Sequence, residues 1–130
     1  MASSNWNTKK FMSEQRQRAI DKLELIGEVV EGQAKQLCPV GDTGYLKGSI
    51  THQVNEEELS VRIGTNVEYA PWIEFGTGEF AENGDGRKGG WVYYNALLDQ
   101  YFFTDGMDPQ PFLRPGLTLS ESAIKEILNA

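Results

Sequence analysis

Apolar residues recur at three- and four-residue steps between Thr8 and Leu37, and polar or charged residues fill the positions between them. This is the pattern of a helix that buries one side. Pro39 and Gly41 follow at once, and proline ends a helix because it lacks the amide hydrogen and collides with the preceding turn. We therefore expect one long amphipathic helix, followed by a loop from Pro39 to Gly44.

The periodicity changes to strict alternation after a segment, Tyr45 to Ser49, that fits a single helical turn. Two alternating stretches flank the polar sequence Asn-Glu-Glu-Glu at 55–58, which predicts an antiparallel hairpin. One face of such a hairpin lies on the core and the other meets solvent. The predicted core side carries Ile50, His52, Val54, Leu59, Val61 and Ile63, and the outer side carries Thr51, Gln53, Ser60 and Arg62.

Two aromatic segments, Trp91 to Tyr94 and Tyr101 to Thr104, have β propensity and are expected to extend this sheet. The last apolar pattern runs from near Pro115 to Leu128 and predicts a C-terminal helix, with Ser120 and Glu121 able to cap its start. The elements together predict an α+β fold. A long N-terminal helix and a C-terminal helix pack on a small curved antiparallel sheet.

Residues 69–90 join an aromatic cluster to a glycine-rich run. Tyr69 to Phe75 fits either a short helix or a strand, whereas six of the fifteen residues from Gly76 to Gly90 are glycine. A run with so few apolar groups and so much backbone freedom is not expected to hold a shape alone. We expect residues 76–90 to form an extended flexible loop or arm.

Length and charge narrow the class of protein. The 130 residues suit a single domain, within which residues 1–7 are expected to be disordered. The formal net charge is −7, of which residues 66–130 contribute −6. Phosphate binding requires clustered Lys and Arg, so specific binding of nucleic acid is not expected. The sequence contains neither a long apolar run nor a signal peptide, so no membrane association is expected.

Cys38 is the only cysteine, which excludes an internal disulfide and a cysteine-based metal site. We expect it to be a small buried thiol. His52 has no second histidine or cysteine with which to bind zinc, and a packed or hydrogen-bonded role is expected instead. The residues accordingly predict no metal and no cofactor.

Asp42-Thr43-Gly44 matches the catalytic loop of retroviral-type aspartic proteases, which act as dimers. That family needs an all-β fold with an apolar strand before the aspartate, whereas here a helix, Pro39 and Gly41 precede it. A turn stabilised by Asp and Thr is the favoured interpretation. The protease remains a distant alternative.

Two further patterns resemble functional sites, one a phosphate-binding loop and the other a pair of catalytic carboxylates. Gly76-Thr77-Gly78 lacks the Gly-Lys-Ser/Thr continuation of a phosphate loop. Glu68 and Glu74 could form an acid and base pair beside aromatic residues, as in glycosidases. Glu74 is instead expected to pair with Arg62 or Arg114, or to cap a neighbouring amide. We expect no catalytic residue.

Three segments occur in an order and spacing that resemble the head–tail joining proteins of long-tailed bacteriophages. They are Pro39 to Ser49, then Gly64 to Ala70 leading to Glu74 to Gly78, then Pro109 to Pro115. Members of this group are also described as neck, minor capsid or tail-completion proteins. The resemblance covers about residues 20 to 128, and residues 79–90 and Gly116 depart from it.

The resemblance implies a structural virion protein and no enzyme. It implies a homo-oligomeric ring of about six or twelve subunits at the head–tail junction, made in the host cytoplasm, that joins the DNA-filled capsid to the tail. Its neighbours would be a connector or head-completion protein on one side and a tail terminator or tail tube protein on the other. DNA would pass through the channel without specific binding, past part of the acidic C-terminal half.

A tail terminator or tail-completion ring is the nearest alternative. The residues expected to contact other subunits or partners are Tyr69, Trp72, Phe75, Phe80, Asp85, Arg87, Lys88, Trp91, Phe112 and Arg114.

Overall fold

The structure, a computed structural model, describes residues 2–40, 44–96 and 98–130, with side chains from residue 7 onward. Helix α1 spans Ala2–Leu37. It ends where the sequence predicts but begins six residues before Thr8, so residues 2–7 continue the helix where disorder was expected. Its buried side chains are Ile20, Ile26, Val30 and Ala34.

The predicted hairpin is confirmed as strands β1, Thr51–Asn55, and β2, Ser60–Gly64. The side chain of Asn55 closes the turn, because its Oδ1 accepts hydrogen bonds from the amides of residues 57 and 58, both at 3.0 Å. Pairing of His52 with Ile63 places both on the face that meets α1. Leu59 differs from its predicted strand position, because it adopts a left-handed turn conformation and is 40% exposed.

The remaining strands do not extend this sheet, which corrects the predicted single sheet. Strand β3, Thr77–Gly78, pairs with β6, Gly106–Met107. Strand β4, Trp91–Asn95, pairs with β5, Gln100–Thr104, as a separate hairpin. Among the described residues, three two-stranded antiparallel sheets beside helices still make an α+β fold, as predicted.

Short helices complete the chain. The turn predicted over Tyr45–Ser49 is helix α2, and the ambiguous aromatic cluster contains helix α3, Ala70–Phe75. The predicted C-terminal helix is two helices, α4 over Leu113–Leu119 and α5 over Glu121–Asn129. Helix α4 already includes Pro115, since proline is tolerated in a first turn whose amides lack helical partners.

Ser120 divides α4 from α5, but its side chain does not cap α5. The Ser120 hydroxyl donates a hydrogen bond of 2.7 Å to the carbonyl of Gly116, one turn back in α4. Gly116 itself faces α1, where an added Cβ would lie 3.1 Å from the Cβ of Ala34. The missing side chain therefore allows α4 to lie close against α1.

The core lies where α1 meets α2, α3 and the start of α4. Cys38 is buried there, as predicted. Phe112 has no exposed surface, so its place in the set of expected contact residues is corrected: it packs inside the subunit. The buried cluster consists of Ala34, Cys38, Leu46, Ile50, Val67, Ala70 and Phe112, with Ile63, Ile73 and Leu113 packed against it.

Candidate partner-binding surface

Glu74 joins α3 to the start of α4. The amides at a helix start have no partner within the helix, and here the Oε1 of Glu74 accepts from those of Phe112 at 3.1 Å and Leu113 at 2.8 Å. Its other oxygen accepts from Nε of Arg114 at 2.8 Å. The sequence predicted that Glu74 pairs with Arg62 or Arg114, or caps an amide; the observed partners are Arg114 and the two amides, and not Arg62.

Arg114 extends this junction outward. Its guanidinium donates to the carboxylate of Glu82 at 2.8 and 3.1 Å, and to the carbonyl of Glu74 at 3.2 Å. The guanidinium carbon also lies 4.5 Å from the ring centre of Phe75. Arg114 thereby holds the segment after β3 to both α3 and α4.

The charge state of Glu74 follows from these contacts. Burial alone would raise the pKa of its carboxyl, but hydrogen bonds from Arg114 and from the amides of Leu113 and Phe112 lower that pKa below its ordinary value. Glu74 is therefore an ionised structural acceptor whose two oxygens are both occupied. Such a group is a poor general acid, which removes support from the acid and base pair with Glu68.

Residues 79–90 make backbone hydrogen bonds to the rest of the subunit, and the flexibility predicted for the loop or arm over residues 76–90 stays a prediction. The amide of Glu79 donates to the carbonyl of Asp105 at 2.9 Å, and the amide of Glu82 donates to the carbonyl of Phe75 at 2.8 Å. Gly86 lies against Gly78, so closely that an added Cβ would be 2.2 Å from the Gly78 carbonyl oxygen. The Gly76-Thr77-Gly78 sequence is no phosphate loop: Gly76 ends α3, and Thr77–Gly78 form the strand β3 that anchors this segment.

Replacing Gly78 with alanine should release this segment. Gly78 has a φ of 61°, and an added Cβ would lie 2.1 Å from the carbonyl oxygen of Asp105, so both conformation and space oppose a side chain. We expect faster limited proteolysis within residues 79–90, together with a lower Tm. Gly84→Ala is the control, since it has a similar φ of 72° but open space around it. If both variants had equal effects, the close packing at Gly78 would not be what holds residues 79–90 in place.

The β4–β5 hairpin presents an apolar face that the predicted contact set does not contain. Directly paired residues point to the same side of an antiparallel sheet, and here Val92 pairs with Phe103 and Tyr94 with Tyr101. Their exposures are 63, 66, 49 and 75%, respectively. The hairpin packs mainly on itself, and although Gly90 lies against the ring of Phe103, this face is largely exposed in the described part of the chain. We call these four residues the aromatic face.

The predicted contact residues are spread over three environments. Phe112 lies in the core, and Arg114 is used in the Glu74 junction. Arg87 and Lys88 contact the subunit itself: the guanidinium of Arg87 lies 5.5 Å from the ring centre of Trp91, and the ammonium of Lys88 lies 3.9 Å from Glu79. The exposed members are Tyr69, Trp72, Phe75, Phe80 and Asp85, and their partner contacts stay a prediction.

The aromatic face had a signal in the sequence. Aromatic residues occupy consecutive positions in Val-Tyr-Tyr and Tyr-Phe-Phe, so both faces of a hairpin built from them must be apolar. A subunit that covers one face leaves the other exposed.

His52 connects β1 to α1. Its Nε2 lies 3.0 Å from the Glu24 carboxylate and its Nδ1 lies 3.2 Å from that of Glu31. Gly27 makes room for the ring, because a Cβ there would lie 2.4 Å from the ring carbon Cδ2. The expected packed and hydrogen-bonded histidine is confirmed.

The stability contributed by His52 should depend on pH. Burial lowers the pKa of His52, but the carboxylates of Glu24 and Glu31, which accept hydrogen bonds from its ring nitrogens, raise that pKa by more and leave it above the ordinary 6.5. A raised folded-state pKa gives a contribution that is complete below 6.5 and is lost as pH rises through the folded pKa. We expect wild type to exceed His52→Gln in free energy of unfolding by more at acidic than at alkaline pH, measured by urea denaturation. A pH-independent difference would contradict the ion pairs.

The structure gives little support to the protease interpretation of Asp42-Thr43-Gly44. Asp42 and Thr43 lie outside the described residues, and Gly44 precedes helix α2 with a φ of 67°. The described fold is dominated by a helix of 36 residues, unlike the all-β architecture that such a protease needs. Among the described residues, no cluster of three or more His, Cys, Asp or Glu could hold a metal ion.

No helix within residues 2–40, 44–96 and 98–130 is both long and apolar enough to cross a membrane. Neither curated proteins nor solved structures gave a significant match to the chain. Residues 7–76, slightly more than half of the chain, match the family described as "Bacteriophage HK97-gp10, putative tail-component". The chain therefore belongs to the HK97-gp10-like family of bacteriophage proteins.

Proposed function

We propose that this protein is a non-enzymatic virion component that forms a ring at the head–tail junction and joins the DNA-filled capsid to the tail. The observation that carries the proposal is the family match over residues 7–76, which includes the first of the three segments noted in the sequence and the second as far as Gly76. The third segment, Pro109 to Pro115, contributes Phe112 to the same core. One folded unit thus contains all three.

The surface chemistry supports a binding role. The aromatic face is exposed, whereas the buried carboxylate of Glu74 is occupied by backbone amides and Arg114. Exposed contiguous apolar side chains are typical of interfaces between proteins. The partners are other copies of the chain, a connector or head-completion protein, and a tail terminator or tail tube protein.

The charge suits a channel through which DNA moves. A net charge of −7 opposes retention of phosphates, so DNA passes the ring without specific binding. We propose that part of the acidic C-terminal half faces the channel. A ring reconstruction with a neutral or basic lining would overturn that assignment.

Electron microscopy of particles assembled without the protein tests the junction. The expected result is separate full heads and finished tails, restored to joined particles by supplying the wild-type chain. Overlong tails would instead support the alternative, a tail terminator, because termination is the step that limits tube length. Normal joined particles would overturn both.

The Asp42→Asn variant separates the structural role from the distant protease alternative. Asparagine cannot share the proton that an aspartic protease dimer requires, so a protease would lose peptide cleavage. We expect the variant to restore joined particles as well as wild type does. Failure to restore them, with the variant folded, would favour the protease.

A further inference from the structure

One edge of strand β2 has no strand beside it. Among the described residues, β2 pairs with β1 alone, in a sheet of two strands. Alternate residues of such an edge direct their amide and carbonyl groups away from the sheet, and these groups can form hydrogen bonds with one more strand. The free edge of β2 is therefore open to the addition of a strand.

An apolar groove of about 370 Å³ lies between β2, α1 and α4. Val61 and Ile63 line it from β2, where they are two positions apart and so point to the same side of the strand. Leu117 lines it from α4 and is 54% exposed. The other apolar lining residues are Ile26, Val30 and Leu113. A strand added to β2 would direct its own alternate side chains into this groove.

Charge does not select the ligand of this groove. Its charged lining residue, Arg114, is already paired with the carboxylates of Glu74 and Glu82. Arg62 lies between Val61 and Ile63 in β2 and therefore points to the opposite face of the hairpin. The groove and the strand edge together select a segment that offers backbone hydrogen bonds and large apolar side chains at alternate positions.

Strand β5 has these properties. It pairs with β4 on one side, and no described strand lies on its other side. It contains no charged residue and no proline, which are the usual protection of a free edge. Its alternate residues Tyr101 and Phe103 are 75 and 66% exposed, and Gly90 lies against the ring of Phe103, so Tyr101 is the freer of the two. Strand β5 thus offers an unprotected edge of five residues, the length of β2.

We propose that β5 of one subunit adds to the free edge of β2 in the next copy, with the central residues Phe102 and Arg62 side by side. Tyr101 and Phe103 then enter the groove between β2 and α4, and the two hairpins form one four-stranded sheet across the boundary between subunits. Within one subunit the two hairpins are separate, so the single sheet that the sequence predicts is completed between copies. This inference rests on the proposed ring and assigns its surfaces.

A second copy of the chain accounts for both surfaces at once. Each subunit carries one free β2 edge and one free β5 edge, and contacts between two different surfaces close into a ring when the rotation between copies allows it. The β4–β5 hairpin packs mainly on itself, and an isolated two-stranded hairpin is only marginally stable in water. Addition to β2 supplies the further strands and the apolar cover that this hairpin lacks.

Paired cysteines test the contact. Opposite residues of neighbouring strands have Cβ atoms about 5 Å apart, so the full-length variant Arg62→Cys with Phe102→Cys should form disulfides under mild oxidation. Both positions are central in their strands, so they lie side by side whether the strands run parallel or antiparallel. Disulfides between copies give a ladder of covalent oligomers, whereas either single variant stops at dimers. Cys38 can stay in place, because it is buried.

The matched control is Gln53→Cys with Phe102→Cys. Gln53 is the partner of Arg62 in β1, so it lies on the same face but one strand further from the proposed contact. We expect this pair to give little or no ladder. Absence of a ladder from the first pair, an equal ladder from the control pair, or a disulfide closed within one chain would overturn the contact.

Leu117→Ser, added to the paired-cysteine chain, tests the groove. It removes apolar surface from the α4 wall, and we expect the ladder yield to fall by about tenfold, as for residues central to an interface. Leu119→Ser is the control, since it lies in the same helix and is 59% exposed but does not line the groove. Tyr101→Ser should lower the yield as Leu117→Ser does, from the other side of the contact. Equal yields from all three, with circular dichroism showing them folded, would count against the proposal.

Failure of this contact is distinguishable from failure of the proposed function. If purified particles contain the protein as a ring and the cysteine pair gives no ladder there, the surfaces are wrong and the ring stands. A disulfide to a different virion protein in those particles would assign the strand edge to that protein and overturn the pairing of copies. If particles join normally without the protein, the proposed function fails, and the ladder from the concentrated free chain alone decides the contact.

Discussion

Replacing Phe112 with alanine is expected to lower the free energy of unfolding by about 3–5 kcal/mol. The ring of Phe112 is fully buried and contacts the cluster contributed by α1, α2 and α3, so its removal leaves a cavity that these elements cannot all close. Denaturation by urea, followed by circular dichroism, measures the loss. Sequence reasoning placed this residue at a partner interface.

Phe103→Ala is the matched control for Phe112→Ala. It removes the same side chain from a position that is 66% exposed, so the free subunit should lose little stability. In the assembled particle, however, Phe103→Ala should weaken assembly, because Phe103 belongs to the exposed apolar face that supports the proposed binding role. A small stability loss for Phe112→Ala, or a large one for Phe103→Ala, would contradict the core described above.

Replacing Glu74 with alanine is expected to lower the free energy of unfolding by about 3 kcal/mol, since it leaves two amides and one guanidinium without their acceptor. The side chain is 5% exposed, so water cannot readily take its place. Chemical denaturation at neutral pH measures the effect. Glu82→Ala, which removes the exposed partner of Arg114, should have a much smaller effect.

The effect of Glu74→Ala should shrink in acid. The pKa of Glu74 lies below its ordinary 4.5, so its contribution is complete above that pH and is lost as pH falls through the folded pKa. Glu74→Gln should be less harmful than Glu74→Ala, because its amide oxygen can still accept from the backbone amides of Phe112 and Leu113. If alanine and glutamine are equally tolerated, Glu74 does not hold the helix start.

Strong periodicity predicted the parts of the fold that depend on neighbouring residues. The structure contains the helix α1 that the three- and four-residue steps predict and the hairpin that alternation on either side of Asn55 predicts. It also contains the helical turn at Tyr45–Ser49. The predicted choices for Glu74 included its observed partners because a carboxylate between aromatic residues needs donors when buried. These predictions depend only on the pattern of neighbouring residues and on the free-energy cost of burying a charged group.

The corrections concern contacts between distant residues. Trp91 to Thr104 has the composition of a strand pair, but composition does not state which strands pair with which, and the hairpin forms apart from β1 and β2. Residues 79–90 contain few apolar groups, yet backbone hydrogen bonds to Phe75 and Asp105 hold them to the subunit. Hydrogen bonds between residues that are far apart in the chain cannot be recognised from a short stretch of sequence.

The sequence by itself determined the α+β class, the long first helix, the hairpin and a family resemblance, because periodicity and short motifs are local properties of the chain. Only the tertiary structure decided that Phe112 is core, that Arg114 ties Glu74 to Glu82, and that the aromatic face is left uncovered. Burial depends on what packs against a side chain, and that is set by the whole fold. The aromatic face is exposed because its hairpin packs mainly on itself.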